Sequence, residues 1–152
     1  MRQERTHSEL RKMAREHVRY ELQMMRLTAA GLKALRPDQV GERNVLIESF
    51  LLHTRNLRDF LHQKQGRDDT DALAVDFFDD PSSWLDKRPE PAEAIRNNRE
   101  RMNRALAHLS YSRLEYESSK TWAVSEMRQG IEDAFSAFLK ALPEERAAWF
   151  QD

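Results

Sequence analysis

Four stretches of the chain repeat apolar residues at the 3.6-residue spacing of an α-helix, and this periodicity restricts the fold most strongly. They cover residues 6–35, 38–65, 91–116 and 119–142. The last stretch is the most regular, and its apolar side chains share one helical face: Val124, Met127, Ile131, Ala134, Phe135, Phe138, Leu139 and Leu142. No stretch alternates with period two for long enough to form a strand. The sequence therefore predicts an all-α fold, an antiparallel bundle of four long helices.

Residues at the ends of these stretches support the same division. Thr6 and Glu9 have the spacing of a capping box, which predicts that the first helix begins there. Pro37 ends that helix, and Gly66 ends the second. Pro143 is typical of the first turn of a helix, so a short C-terminal helix is expected after the fourth long one.

Length and composition exclude several classes of protein. A chain of 152 residues has the usual length of one domain, so we expect a single helical-bundle domain over residues 1–152. The chain contains no cysteine, which excludes disulfides, thiolate zinc sites and a cysteine nucleophile. It has a charged N-terminus and no apolar run of about 18 residues, and we therefore predict a cytoplasmic protein that makes no membrane contact.

Residues 66–93 form a long acidic connection between the second and third helices. The segment contains seven Asp and three Pro, but also the apolar residues Leu73, Val75, Phe77, Phe78 and Trp84. Connections of this length are uncommon in compact domains. The segment is therefore either a cap over the bundle, with a short helix near residues 71–79, or a partner-binding segment. We favour the cap.

Neither metal nor cofactor is expected. The acidic segment lacks the D-x-D-x-D-G spacing and the final Glu of a calcium loop. The chain has one Glu-x-x-His pair, Glu4 with His7, whereas the metal sites inside helical bundles use two such pairs together with further Glu residues.

The second helix carries polar residues of two kinds. His53 lies in the middle of the apolar face, which indicates a hydrogen-bonded core histidine with a structural role. Glu48, Arg55, Asp59 and His62 lie on the far side. Arg55 with Asp59 at i+4, and Glu48 two turns earlier, predict a structural ladder of ion pairs along this face.

The third helix carries a basic stripe without acids. Asn97, Arg101, Arg104, His108 and Ser112 lie within about 80° of one another in a helical projection. Arginine binds phosphate through planar donors, and a histidine of near-neutral pKa can transfer a proton during cleavage of a phosphodiester. Such a site would need no metal. The alternative is a solvated basic face or a homodimer contact.

Two segments of the chain carry a resemblance to a known family. They are ESFLLHTRNLRDF, residues 48–60, and RMNRALAHLSYSR, residues 101–113. A short helical domain with these Arg and His spacings resembles the HEPN superfamily, compact bundles that often dimerise and that include RNA-cleaving toxins and defence proteins as well as non-catalytic members. The combination of segments is similar to a group of uncharacterised bacterial proteins. The resemblance implies Arg101 and His108 as a catalytic pair, with Arg55 and His62 as a second possible pair.

Two functional hypotheses follow from these patterns. The favoured one is a non-catalytic helical-bundle protein that acts through self-association as a homodimer or through a protein partner. The alternative is a metal-independent, RNA-cleaving toxin or defence protein. In that case Arg101 and His108 would lie at a dimer cleft, and Arg104 and Asn97 would contact the RNA.

Overall fold

The computed structural model describes residues 4–107, 111 and 121–151, and the side chains of all of these except 104–107. The helices in this part of the chain pack against one another around one core, and no strand occurs in it. The predicted all-α fold is confirmed.

The first long helix is built from three consecutive segments. They are α1 (His7–Lys12), a π-helical segment (Met13–Val18) and α2 (Arg19–Ala34). The Thr6 hydroxyl accepts a hydrogen bond from the Glu9 backbone N–H, and the Glu9 carboxylate accepts one from the Thr6 N–H at 2.8 Å. The predicted capping box is therefore formed, and the hydrogen bonds that the Glu9 carboxylate accepts from the Thr6 N–H and the Thr6 hydroxyl lower the pKa of Glu9. The wider π-helical turn was not predicted.

The second long helix, α3 (Val40–His62), packs antiparallel to α2. Two contacts define the register of this pair. The ring of Tyr20 meets the ring of His53 edge-on, with centroids 5.6 Å apart. Near the other end, a Cβ atom at Gly31 would lie 3.0 Å from the Leu46 side chain, so the glycine allows the helices to approach closely.

The acidic connection packs as a cap on the bundle. It contains a 3₁₀ turn (Ala74–Phe77) and a short helix, α4 (Ser82–Leu85). Its buried side chains are Leu73, Ala74, Val75, Phe77, Phe78 and Trp84. The indole Nε1 of Trp84 donates a hydrogen bond to the Leu61 carbonyl at 2.9 Å, which attaches the cap to α3. These apolar side chains belong to the core, so they cannot form the partner-binding surface considered as the alternative.

The third long helix is interrupted. It consists of α5 (Glu93–Asn97) and α6 (Arg99–Ala107), so the prediction of one continuous helix from residue 91 is wrong. The side chain of Asn98 donates a hydrogen bond to the Ala94 carbonyl at 2.8 Å. Asparagine side chains that bond to nearby backbone compete with helical hydrogen bonding, which explains the break. The predicted part of this helix beyond Ala107 lies outside the described residues.

The last long helix, α7 (Val124–Ala141), is followed by α8 (Glu144–Ala147) and a 3₁₀ turn (Ala148–Phe150). The described helix begins five residues later than predicted, and the short C-terminal helix occurs as expected. Phe138 is fully buried at the centre of the core. Its ring contacts those of Phe60, Phe77, Phe78, Trp84, Phe135 and Phe150, with centroids 5.3 to 6.1 Å apart. Helix, cap and C-terminus therefore share one aromatic cluster.

Arg146 attaches the C-terminal helix to the cap. Its guanidinium donates to the Phe77 carbonyl at 2.7 Å and to the Asp79 carboxylate at 2.6 Å. The same group lies 3.0 Å from the His7 ring at the start of α1. Because Arg146 is buried, its N–H donors require such hydrogen-bond partners.

Candidate functional site

The polar residues of α3 do not form one site. His53 is 6% exposed, and its Nδ1 atom lies 2.7 Å from the Oε2 atom of Glu21 on α2. The same carboxylate accepts a hydrogen bond from the Asn56 side chain at 3.2 Å. Enclosed between two helices and covered by Tyr20, His53 holds α2 against α3 and has no open side from which a substrate could approach.

The predicted ion-pair ladder on α3 is wrong in its partners. Asp59 is bonded by Nε and Nη2 of Arg58, at 2.9 and 2.6 Å, and lies 3.9 Å from Arg67. Arg58 is 5% exposed, and a buried guanidinium requires a carboxylate partner. Asp59 therefore pairs with Arg58 and not, as predicted, with Arg55. Within the described part of the chain, Arg55 forms no ion pair with Glu48 or with Asp59.

His62 lies at the C-terminal end of α3 and is largely buried. Neither of its ring nitrogens has a hydrogen-bond partner. Burial, together with the positive charges of Arg88 and Arg58, lowers the pKa of His62 to about 4. The ring is therefore neutral at pH 7. A histidine with this pKa is poorly suited to be the proton donor of the second candidate pair with Arg55.

Only part of the stripe on the third helix can be located. Asn97 lies on α5, where its side chain donates to Glu93 at 3.4 Å, and Arg101 lies on α6 beyond the break at Asn98. The side chain of Arg104 and the whole of His108 lie outside the described residues, so the predicted pairing of Arg101 with His108 stays a prediction.

Arg101 lines a cleft of about 1100 Å³ that we call the basic cleft. Its walls are the C-terminal half of α2, the first turns of α3, Arg101 of α6, and the start of α7 with the two residues Thr121 and Trp122. The guanidinium of Arg101 donates to the Thr121 carbonyl at 3.0 Å and lies 3.7 Å from the centroid of the Trp122 ring. This cation–π contact fixes both side chains at the wall of the cleft.

The charge of the basic cleft is strongly uneven. Its charged lining residues are Lys33, Arg43, Arg101, Arg128 and Glu132. Glu132 accepts two hydrogen bonds from Arg26, at 2.7 and 2.6 Å, which raise the pKa of that arginine. It also lies 3.8 Å from Arg128. Because its one described acidic group is already bonded to Arg26, the cleft presents a net positive surface.

Sequence reasoning identified one residue of the basic cleft, Arg101, and missed the others. Lys33, Arg43 and Arg128 belong to three different helices, and each taken alone has the pattern of an ordinary solvated charge. A weak signal exists in Trp122, a large aromatic residue placed just before a helix instead of on its apolar face. Only the packing of the helices brings these residues together.

A second surface lies on the outside of the α2 and α3 pair. Tyr20 and Leu27 are 50% and 65% exposed, and Val45 and Leu52 are 68% and 44% exposed. Each pair is spaced by seven residues, so each forms one stripe along its helix. The antiparallel register set by the contact of Tyr20 with His53 brings the two stripes side by side. We call these four residues the outer face.

Neither a metal-binding cluster nor a membrane-spanning helix occurs among the described residues. No group of three or more His, Asp or Glu side chains close enough to hold a metal ion occurs among them. No helix in that part of the chain is long and apolar enough to cross a membrane.

Comparison with known proteins adds no family. No protein-family model matches this chain, and no curated protein or solved structure gives a significant match. The outer face and the basic cleft are therefore the two features of the molecule that point to a function.

Proposed function

We propose that this chain is a non-catalytic helical-bundle protein of the HEPN-like type that acts through self-association. One observation carries the proposal: the outer face exposes four large apolar side chains on two packed helices. Apolar residues grouped in this way on a surface are typical of an interaction site, whereas isolated ones are not. An all-helical fold is compatible with the family resemblance.

The charges beside the outer face favour a second copy of the chain as the partner. Glu48 and Arg55 lie on α3 on either side of Leu52, four residues before it and three residues after it. A symmetric dimer requires a surface that complements itself. If a two-fold axis passes near Leu52 and the two α3 helices run antiparallel, Glu48 of one copy lies opposite Arg55 of the other. Two ion pairs would then flank an apolar centre.

A charge exchange tests this arrangement. We expect the wild-type protein to sediment as a dimer, and Glu48→Arg and Arg55→Glu each to sediment as monomers, because each places like charges opposite one another twice. An equimolar mixture of the two variants should restore a dimer, since every contact then joins opposite charges. Circular dichroism would verify that both variants fold, and Arg11→Glu, at an exposed position on α1, is the matched control.

Three outcomes would contradict the proposal or part of it. A wild-type protein that stays monomeric at about 100 μM has no self-association of useful strength. Dimers that survive both single substitutions would show that the contact lies elsewhere. A complex with a different protein that depends on Leu52 would replace the second copy by a protein partner.

RNA cleavage is the second candidate, and the position of Arg101 in the basic cleft favours it. The described lining of the cleft supplies cations for phosphate but no histidine for proton transfer. Cleavage would therefore depend on His108. It predicts that purified protein cuts single-stranded RNA in EDTA and that His108→Ala abolishes the cutting without loss of folding. RNA that stays intact with the wild-type protein would count against this candidate.

A further inference from the structure

We infer that the basic cleft is a binding site for a phosphate-bearing ligand of about nucleotide size. The cleft is lined by different residues from those of the outer face, so the inference does not rest on self-association. It also requires no cleavage.

The arrangement of charge supports an anionic ligand. Lys33 on α2, Arg43 on α3 and Arg128 on α7 reach the cleft from three directions, and Arg101 adds a fourth cation from α6. Arginine and lysine that converge on one cavity raise its potential and increase the local concentration of anions. The net charge of the whole chain is only −1, so this potential is a local property of the cleft.

The remaining side chains suit the rest of such a ligand. The lining includes the apolar residues Ala29, Leu32, Ile47 and Val124. The polar residues Asn44, Thr121, Ser125 and Gln129 can form hydrogen bonds to an uncharged part. Ligand sites commonly combine a mostly apolar lining with a few placed polar groups, and a volume near 1000 Å³ is at the large end of their range.

The Glu132 pair explains why the cleft keeps its positive charge. A free carboxylate in this position would repel phosphate. The bidentate contact with Arg26, at 2.6 and 2.7 Å, supplies Glu132 with a cation from outside the lining. The one acidic residue of the described lining is therefore neutralised by Arg26, which lies outside the lining. The cavity is bordered by three further cations, Lys33, Arg43 and Arg101.

Trp122 provides a direct readout of binding. It is half-buried at the wall of the cleft, whereas Trp84 and Trp149 are 0% and 5% exposed in the core. Ligand entry should change the fluorescence of Trp122 and leave that of the other two unaffected. The titrants are inorganic phosphate, adenosine monophosphate and a single-stranded RNA of about eight nucleotides, with isothermal calorimetry as a second measurement.

We expect adenosine monophosphate to bind more tightly than phosphate, because the apolar residues of the lining can contact only the nucleoside part. RNA that binds more tightly than the mononucleotide would identify a strand as the source of the phosphate, and equal affinity would identify a free nucleotide. The double substitution Lys33→Gln with Arg43→Gln should weaken binding by about tenfold or more. Raising the salt concentration should weaken it as well.

The matched control is Arg11→Gln with Arg15→Gln, which removes the same charge from exposed positions on the first long helix. It should change the affinity by less than about twofold. Equal losses of affinity in both double variants would mean that the ligand is held by general electrostatic attraction. Absence of binding to all three titrants at about 5 mM would mean that the cleft is not a ligand site. Either result would overturn the inference. Calorimetric heat without a change in Trp122 fluorescence in the wild type would place the ligand elsewhere.

Discussion

The Nδ1 atom of His53 lies 2.7 Å from the Oε2 atom of Glu21, and this contact ties α3 to α2 through side chains that are largely removed from water. Deleting one partner of a buried hydrogen bond leaves the other unsatisfied. We therefore expect His53→Ala to lower the free energy of unfolding by about 2 to 4 kcal/mol.

A double-mutant cycle with Glu21→Ala measures the contact itself. Urea denaturation of the two single variants and the double variant should give a coupling energy of about 1 kcal/mol or more. Additive losses would mean that His53 stabilises the protein through packing alone.

The second prediction concerns pH and His62. Burial lowers its pKa to about 4 in the folded protein, whereas the ordinary value in the unfolded chain is about 6.5. As the pH falls, the unfolded state binds the proton first, so the free energy of unfolding decreases between about pH 6.5 and about pH 4. The decrease is at most about 3 kcal/mol, and above pH 6.5 the protonation of His62 no longer changes the stability.

Urea denaturation of the wild type and of His62→Leu at about pH 7.5 and about pH 4.5 isolates this effect. Carboxylates titrate in both proteins, so their contribution cancels in the comparison. The variant should lose less stability on acidification than the wild type. Parallel losses would show that the His62 ring is accessible to water in the folded protein.

The third prediction concerns the attachment of the C-terminus. Arg146→Ala removes a buried guanidinium that donates to the Phe77 carbonyl at 2.7 Å and leaves that carbonyl without its partner. We expect a loss of about 2 to 3 kcal/mol. Asp79→Asn is the control, because the Asp79 side chain is 86% exposed and a surface pair contributes less than about 1 kcal/mol. Equal losses in thermal denaturation would assign the stability to the ion pair instead.

The fourth prediction compares two glycines inside helices. A Cβ atom at Gly130 would lie 2.4 Å from the Ala92 Cβ, so Gly130→Ala should force α7 away from the segment before α5 and cost about 1 to 3 kcal/mol. At Gly41 no atom lies within 4 Å of the added Cβ, so Gly41→Ala should stabilise the protein by about 0.5 kcal/mol. If denaturation shows that both substitutions stabilise, the close contact with Ala92 is absent in solution.

Sequence reasoning predicted the helices and their buried faces well. The apolar face of the last long helix, with Met127, Ile131 and Phe138, is buried as the period of 3.6 residues indicated. The capping box at Thr6 was also predicted, because both of its partners lie within one turn. The prediction of one continuous third helix failed at Asn98. There a side-chain hydrogen bond to the Ala94 carbonyl interrupts the helix, although the apolar period continues on both sides.

The site residues were harder to predict. An i, i+4 spacing suggested that Arg55 pairs with Asp59, but the spacing alone does not show how deeply a neighbouring arginine is buried. Arg58 is buried and takes the carboxylate at 2.6 Å. The burial of an ion pair depends on the helices that pack over it, which a projection of one helix does not contain.

By itself the sequence determined which stretches form helices, which face of each is apolar, and which residue types are absent. These properties depend on neighbours within about one or two helical turns. Only the tertiary structure decided that Lys33, Arg43, Arg101 and Arg128 border one cleft and that Tyr20, Leu27, Val45 and Leu52 form one face. The rotation and register of one helix against another result from the packing of many side chains at once, and no single helix carries that information.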